Sequence, residues 1–197
     1  MTASERNNYK RGWFRRRVRE MNHRRLIFLD ESALNTAMTP LYGRAPRGQR
    51  VIERVPRNYG EQTSLIGALS FGRGLMAVMT LTGAVDTLAF DAYLTRVLGP
   101  RLRRGDVVVL DNLNVHKASR VEEVAAGRGA GVLWLSPYSP DFSPIEPCWS
   151  KIKALLRAAM ARTREELEKA LARAIEQITK SDIRGWFKHC GYEVASV

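Results

Sequence analysis

The stretch that most restricts the fold is "DVVVLDNLNVHKA", residues 106–118. Val107, Val108, Val109 and Leu110 run without a polar interruption, and three of the four are β-branched. A half-exposed strand would alternate apolar and polar residues. An unbroken run predicts a strand covered on both faces, as in a parallel sheet flanked by helices. The run passes straight into Asp111, with Asn112, Asn114, His116 and Lys117 close behind. A carboxylate closing a buried strand lies at the sheet rim, where open α/β folds build their sites.

The rest of the chain fits such a sheet. "LIFLDES" predicts a second apolar strand, closing on Asp30. "QTSLIGALSFGRGLMAVMTLTGAV" predicts two strands joined by a turn at Gly72 and Gly74. "DTLAFDAYLTRVLGP" predicts a helix stopped by Gly99 and Pro100, "HKASRVEEVAAGRG" another helix, and "GVLWLSP" a short strand. From Ile145 the apolar spacing is helical. A second C-terminal helix starts at Thr163, which with Glu166 makes a capping box. Strands that come first and then alternate with helices give a mixed α/β sheet with helices packed on it. The 197 residues suit one such domain.

Charge indicates the partner. Lys and Arg number 32 against 20 Asp and Glu, a net +12, which points to a polyanion, with nucleic acid first. Residues 1–25 hold nine of these cations against Glu5 and Glu20, with Trp13 and Phe14 between them. They read either as a basic N-terminal arm along phosphates or as a solvated, partly helical leader. The two cysteines, Cys148 and Cys190, form no C-x-x-C pair, so neither a zinc site nor a disulfide framework is expected. No apolar run approaches the ~18 residues of a membrane span, and no secretory signal is legible. A cytoplasmic protein is the expectation.

Two strands closing on acids, Asp30 and Asp111, suggest a site for a hard cation, because Mg²⁺ takes oxygen ligands. Glu31 neighbours Asp30, but alternation along a strand sends the two to opposite faces, and the more regular pattern favours Asp30. The third acid is Glu146, in "SPDFSPIEPCWSKIK". Ser143, Pro144 and Glu146 could form a capping box, but Pro147 argues instead for a helix starting at Pro147, with Glu146 at its mouth. On that helix Glu146, Ser150, Lys153 and Arg157 share one face, and Trp149, Ile152 and Leu156 take another. Asp91, Asp106 and Asp141 read as a helix face, a strand-start turn and a loop turn.

Three words carry a family likeness: "FLDES", "VVVLDNLNVHK" and "LSPYSPDFSPIEPCWSKIKALLR". Together they resemble the acidic motifs of the catalytic domain of DDE transposases of the mariner-like superfamily, in the bacterial insertion-sequence branch. The 34 residues between Asp111 and Glu146 match the spacing typical of that superfamily. "YGRAPRGQR", "GALS" and "ITKSDIRGWFKHCGY" also look like family segments, so the resemblance runs from about residue 25 to the C-terminus. Ser143 departs from the Asn common at its position in the family. Only about two dozen residues precede the first strand, too few for the helix-turn-helix modules such transposases usually carry, so a separate N-terminal half or a truncated copy is expected.

The resemblance implies an RNase H-like mixed five-stranded sheet with flanking helices over residues 26–197. It implies two Mg²⁺ ions, replaceable by Mn²⁺, held by Asp30, Asp111 and Glu146. The implied activity is cleavage of DNA at transposon ends and transfer of the freed 3′-OH into target DNA at TA sites, by a homodimer acting at the nucleoid. The alternatives are an RNase H-like nuclease without strand transfer and an inactive DNA-binding remnant. Asn112, Asn114 and His116 would support metal or phosphate. Arg44, Arg47, Arg50, Lys117, Lys151, Lys153 and Arg157 are the candidate DNA contacts. Trp134 and Trp149 read as core.

Overall fold

The structure, a computed structural model, describes residues 7–52, 54–58, 60–111 and 115–193, with backbone alone at 115–117. Five strands, β1 (Leu26–Asn35), β2 (Gln62–Ser70), β3 (Gly74–Thr82), β4 (Val107–Leu110) and β5 (Gly131–Trp134), form one sheet in the order β3-β2-β1-β4-β5. β1, β2 and β3 pair antiparallel, while β4 runs parallel to β1 and β5 parallel to β4. The helices are α1 (Asn8–Arg19), α2 (Thr87–Ala92), α3 (Val115–Ala126), α4 (Ile145–Ala159), α5 (Arg164–Glu176) and α6 (Lys180–His189). A π-helical segment, Tyr93–Leu98, continues α2.

Alternation along β1 separates two cores. Leu26 and Phe28 join one apolar cluster with Trp149 and Ile152 of α4, Leu167 of α5 and Phe187 of α6. Ile27 and Leu29 join the other, with Phe90 of α2, Tyr93 and Leu94 of the π-helical segment and Val121 of α3. Both faces of the central strands are therefore covered, as the unbroken apolar runs require.

Four features differ from the sequence reading. Asp30 does not close its strand, because β1 continues to Asn35 and stays paired with β2 as far as Gln62. It is β4 that stops short, pairing with β1 only from Leu26 to Phe28. α4 begins at Ile145, before Pro147. Pro147 is then the third helical residue, where the missing N–H would have had no intrahelical partner. Lys180–His189 forms a helix additional to those the sequence predicts, opened by a Thr179–Asp182 capping box.

The fourth difference concerns the basic leader. Residues 8–19 are a helix seated on the domain, with Phe14 and Val18 in the core and Phe14 stacked on Phe142 at 5.3 Å. Arg11, 4% exposed, makes a two-pronged pair with Asp141 at 2.9 and 2.6 Å. The other acids read as structural are indeed engaged: buried Asp106 accepts from the Arg103 N–H and the Arg73 guanidinium, and Asp91 pairs with Arg120. Among the described residues, no helix is long and apolar enough to cross a membrane.

Candidate active site

The early end of β4 leaves a notch beside β1. In the parallel pair, Phe28 is level with Val109. Two residues further on, the same register brings Asp30 level with Asp111, the first residue beyond β4. Residues two apart on a strand share a face, so Asp30 points to the side of Phe28, the side covered by α4. Glu31 is exposed on the opposite side. Glu146 stands in the first turn of α4, where the helix dipole favours a negative charge. Asp30, Asp111 and Glu146 line one cleft of about 500 Å³, whose far wall is the 135–140 segment with Ser143. In that wall Tyr138 holds a left-handed backbone, φ 54°, a conformation uncommon for non-glycine residues.

Asp30 is the electrostatic centre of the cleft. Burial pushes its carboxyl up to about 7, and the nearby charge of Glu146 pushes the same way. The Glu31 backbone N–H and the indole N–H of Trp149, which donates to Asp30 Oδ2 at 3.0 Å, offset part of this. An acid so held is short of positive charge. An all-oxygen donor set of three carboxylates fits a hard divalent cation. Asp30, Asp111 and Glu146 are the residues that could hold one. Among the described residues, no cluster of three His, Cys, Asp or Glu side chains is gathered tightly enough to hold an ion as it stands.

Two contributors to this site escaped the sequence reading. Trp149 has the core position its helical spacing predicts, being 3% exposed, and its ring edge also fixes the Asp30 carboxylate. Gly67 of β2 sits opposite Asp30 at an irregularity in the β2–β3 register. A Cβ there would lie 2.7 Å from Trp149 Cη2, so only glycine leaves room for the indole. A lone glycine inside an otherwise apolar strand was the available signal.

The remaining candidates are scattered. Arg44, Arg47 and Arg50 lie on the exposed connection between β1 and β2, and none lines the acidic cleft. Lys153 and Arg157 are half-buried on α4. Lys151 is half-buried and tied to the protein's own groups, bonded to Asp182 at 2.6 Å and to the Gln177 carbonyl at 3.0 Å. That bond, with a second from Thr179, holds the Asp182 carboxyl down at about 2. Asn112 and Asn114 lie outside the described residues, as do the side chains of His116 and Lys117.

Known proteins give this geometry a context. No curated protein sequence matches the chain. Among solved structures, the Mos1 transposase paired-end complex with the left transposon end is similar at TM-score 0.71 and 19% identity, over 96% of this chain and 61% of that one. The Mos1 strand transfer complex is similar at TM-score 0.69 and 20% identity, over 96% and 61%. The catalytic domain of Mos1 mariner transposase is similar at TM-score 0.65 and 16% identity, over 96% and 91%. These likenesses show the fold, and the chain spans 61% of the first of these relatives. The family model described as DDE superfamily endonuclease matches residues 25–168, which include Asp30, Asp111 and Glu146. On that match, extending over most of its length, the chain belongs to the DDE endonuclease superfamily.

Proposed function

We propose that the chain is the catalytic domain of a DNA transposase, cutting DNA and joining the freed 3′-OH to a target duplex. The observation that carries this reading is the convergence of Asp30, Asp111 and Glu146 on one cleft, in a chain with net charge +12. In this reading the three acids hold two Mg²⁺ ions, with Mn²⁺ as a substitute. Bound there, the ions supply activation of the attacking hydroxyl and neutralisation of the leaving oxygen at phosphorus.

The protein's own groups prepare the site. The Trp149 N–H fixes the Asp30 carboxylate, and Gly67 keeps the space that lets it do so. The Asp30 carboxyl, raised by burial and by Glu146, holds its proton more tightly than an ordinary carboxyl and gives it up when positive charge arrives. Arg44, Arg47, Arg50, Lys153 and Arg157 supply phosphate contacts on the exposed β1–β2 connection and along α4. Asn112, Asn114, His116 and Lys117 follow Asp111 and support metal and phosphate. The working unit is a homodimer on DNA, joining at TA sites, with transposon ends recognised by helix-turn-helix modules. The structures of Mos1 complexes named for Mn and for Mg, and for strand transfer, support this reading by likeness.

The test is a strand-transfer assay with a pre-cut duplex end, a supercoiled target and Mg²⁺ or Mn²⁺, with Asp111→Ala alongside. Joined product that disappears in the variant supports transposase chemistry. Metal-dependent nicking without joining overturns it in favour of a nuclease. Absence of both cutting and joining overturns the catalytic reading.

A further inference from the structure

A second cleft, of about 330 Å³, adjoins the acidic one and shares its wall at Leu135, Ser136 and Pro137. Its opposite side is α1. Tyr9 and Trp13, one helical turn apart on α1, line it with Lys10, and Trp134 at the end of β5 faces them. Phe14 also borders it. Tyr9 is 79% exposed and Trp13 51%. A single exposed ring on a protein surface is ordinary. Two on one helix face, opposite a third across an apolar cleft, are not a scattered surface.

The rings are also held in place. α1 is anchored by Phe14 and Val18 in the core and by the buried Arg11 guanidinium, which pairs with Asp141 and lies 4.0 Å over the Phe142 ring. The same anchoring fixes α1 to the 140–142 segment, whose Pro140 lines the acidic cleft. Along the face bearing Tyr9 and Trp13, α1 continues with exposed Lys10, Arg16 and Arg17. Rings beside cations suit a single strand of nucleic acid, whose bases stack on the rings while its phosphates meet the cations. A closed duplex presents phosphates but hides its base faces.

We infer that the cleft between α1 and β5 binds unpaired bases of a DNA strand whose phosphate backbone enters the acidic cleft, with Tyr9 and Trp13 as the stacking surface. The inference rests on the DNA reading above and adds the form of the substrate: a strand with unpaired nucleotides next to the reacting phosphate. It gives α1 a role in substrate binding that a merely solvated basic leader would not have.

The experiment compares binding of the full chain to two fluorescent duplexes, one blunt and one carrying a short single-stranded tail, in the absence of divalent metal. The expected result is tighter binding of the tailed duplex, with the preference falling about tenfold in Tyr9→Ala/Trp13→Ala, equivalent to about 1.4 kcal/mol. Blunt-duplex affinity should hold, and Trp13→Phe should keep most of the preference. Because both side chains are exposed, the double variant should melt with the wild type, which a thermal scan checks. Equal preference in wild type and double variant overturns the inference while leaving the DNA reading intact. Wild type that binds neither duplex overturns both. A change in oligomeric mass on substitution, with the tail preference unchanged, assigns the rings to a second copy of the chain and also overturns it.

Discussion

Asp30→Asn should make the metal-free protein more stable at alkaline pH. The substitution keeps an oxygen to accept the Trp149 N–H and removes only the charge. In the folded protein the Asp30 carboxyl sits at about 7, against an ordinary 3.8, because it is buried and faces Glu146. A folded value raised above the unfolded one means the folded state holds the proton more tightly. Stability from that proton is complete below the unfolded value and is lost as pH rises through about 7. At about 1.4 kcal/mol per tenfold change in proton affinity, the full difference is about 4 kcal/mol. The carboxyl borders an open cleft, and solvent relaxation there reduces the figure to about 2 kcal/mol. For a chain of 197 residues this corresponds to a Tm increase of about 4–8 °C. The assay is a melting series in chelator from about pH 4 to about pH 9, comparing wild type with Asp30→Asn. The variant's advantage should be absent at the acid end, grow to about neutrality and then level off. An advantage that does not vary with pH, or a variant that melts below wild type at alkaline pH, would refute the reasoning.

Four further expectations come from particular residues. Gly67→Ala forces a Cβ against the Trp149 ring and should cost about 1–3 kcal/mol in denaturant unfolding. It should also cut metal-dependent cleavage more than DNA binding, since it dislodges the group that holds Asp30. Asp141→Ala strands the buried Arg11 guanidinium and should cost about 2 kcal/mol, with limited proteolysis showing earlier cleavage within residues 8–19. Lys151→Ala should lower stability by about 1 kcal/mol without changing DNA affinity. Arg44→Ala/Arg47→Ala/Arg50→Ala should do the reverse, weakening binding and flattening its salt dependence between about 50 and 200 mM.

What could be read from the chain, and what could not, follows from the range of the forces involved. The β4 run and the apolar half of β1 are dictated by burial on both faces, which hydrophobic patterning records directly. The acids that follow these apolar runs, Asp30 inside β1 and Asp111 just past β4, were legible for the same reason, since a carboxylate interrupts such a run conspicuously. The true end of β1 was not, because "ESALN" is kept in the sheet by pairing with β2, a contact between residues far apart in sequence. The role of Trp149 was hidden similarly. Its helical spacing announces burial, but the hydrogen bond to Asp30 depends on α4 crossing β1 opposite a glycine. Lys151 looked like any cation beside a phosphate site until α6 brought Asp182 to it. α6 itself carried a readable signal in Thr179 and Asp182, three residues apart. In the basic leader, Phe14 and Val18 at a four-residue spacing marked the buried stripe that seats α1 on the core.

The central claim is that Asp30, Asp111 and Glu146 act together as one divalent-metal site. The most direct measurement is Mn²⁺ binding by calorimetry to the wild-type chain and to Asp30→Asn, Asp111→Asn and Glu146→Gln. Binding by the wild type that weakens severely in all three variants, each still folded by its melting curve, is the expected result. Wild-type binding retained in any one of them would remove that residue from the site and contradict the claim.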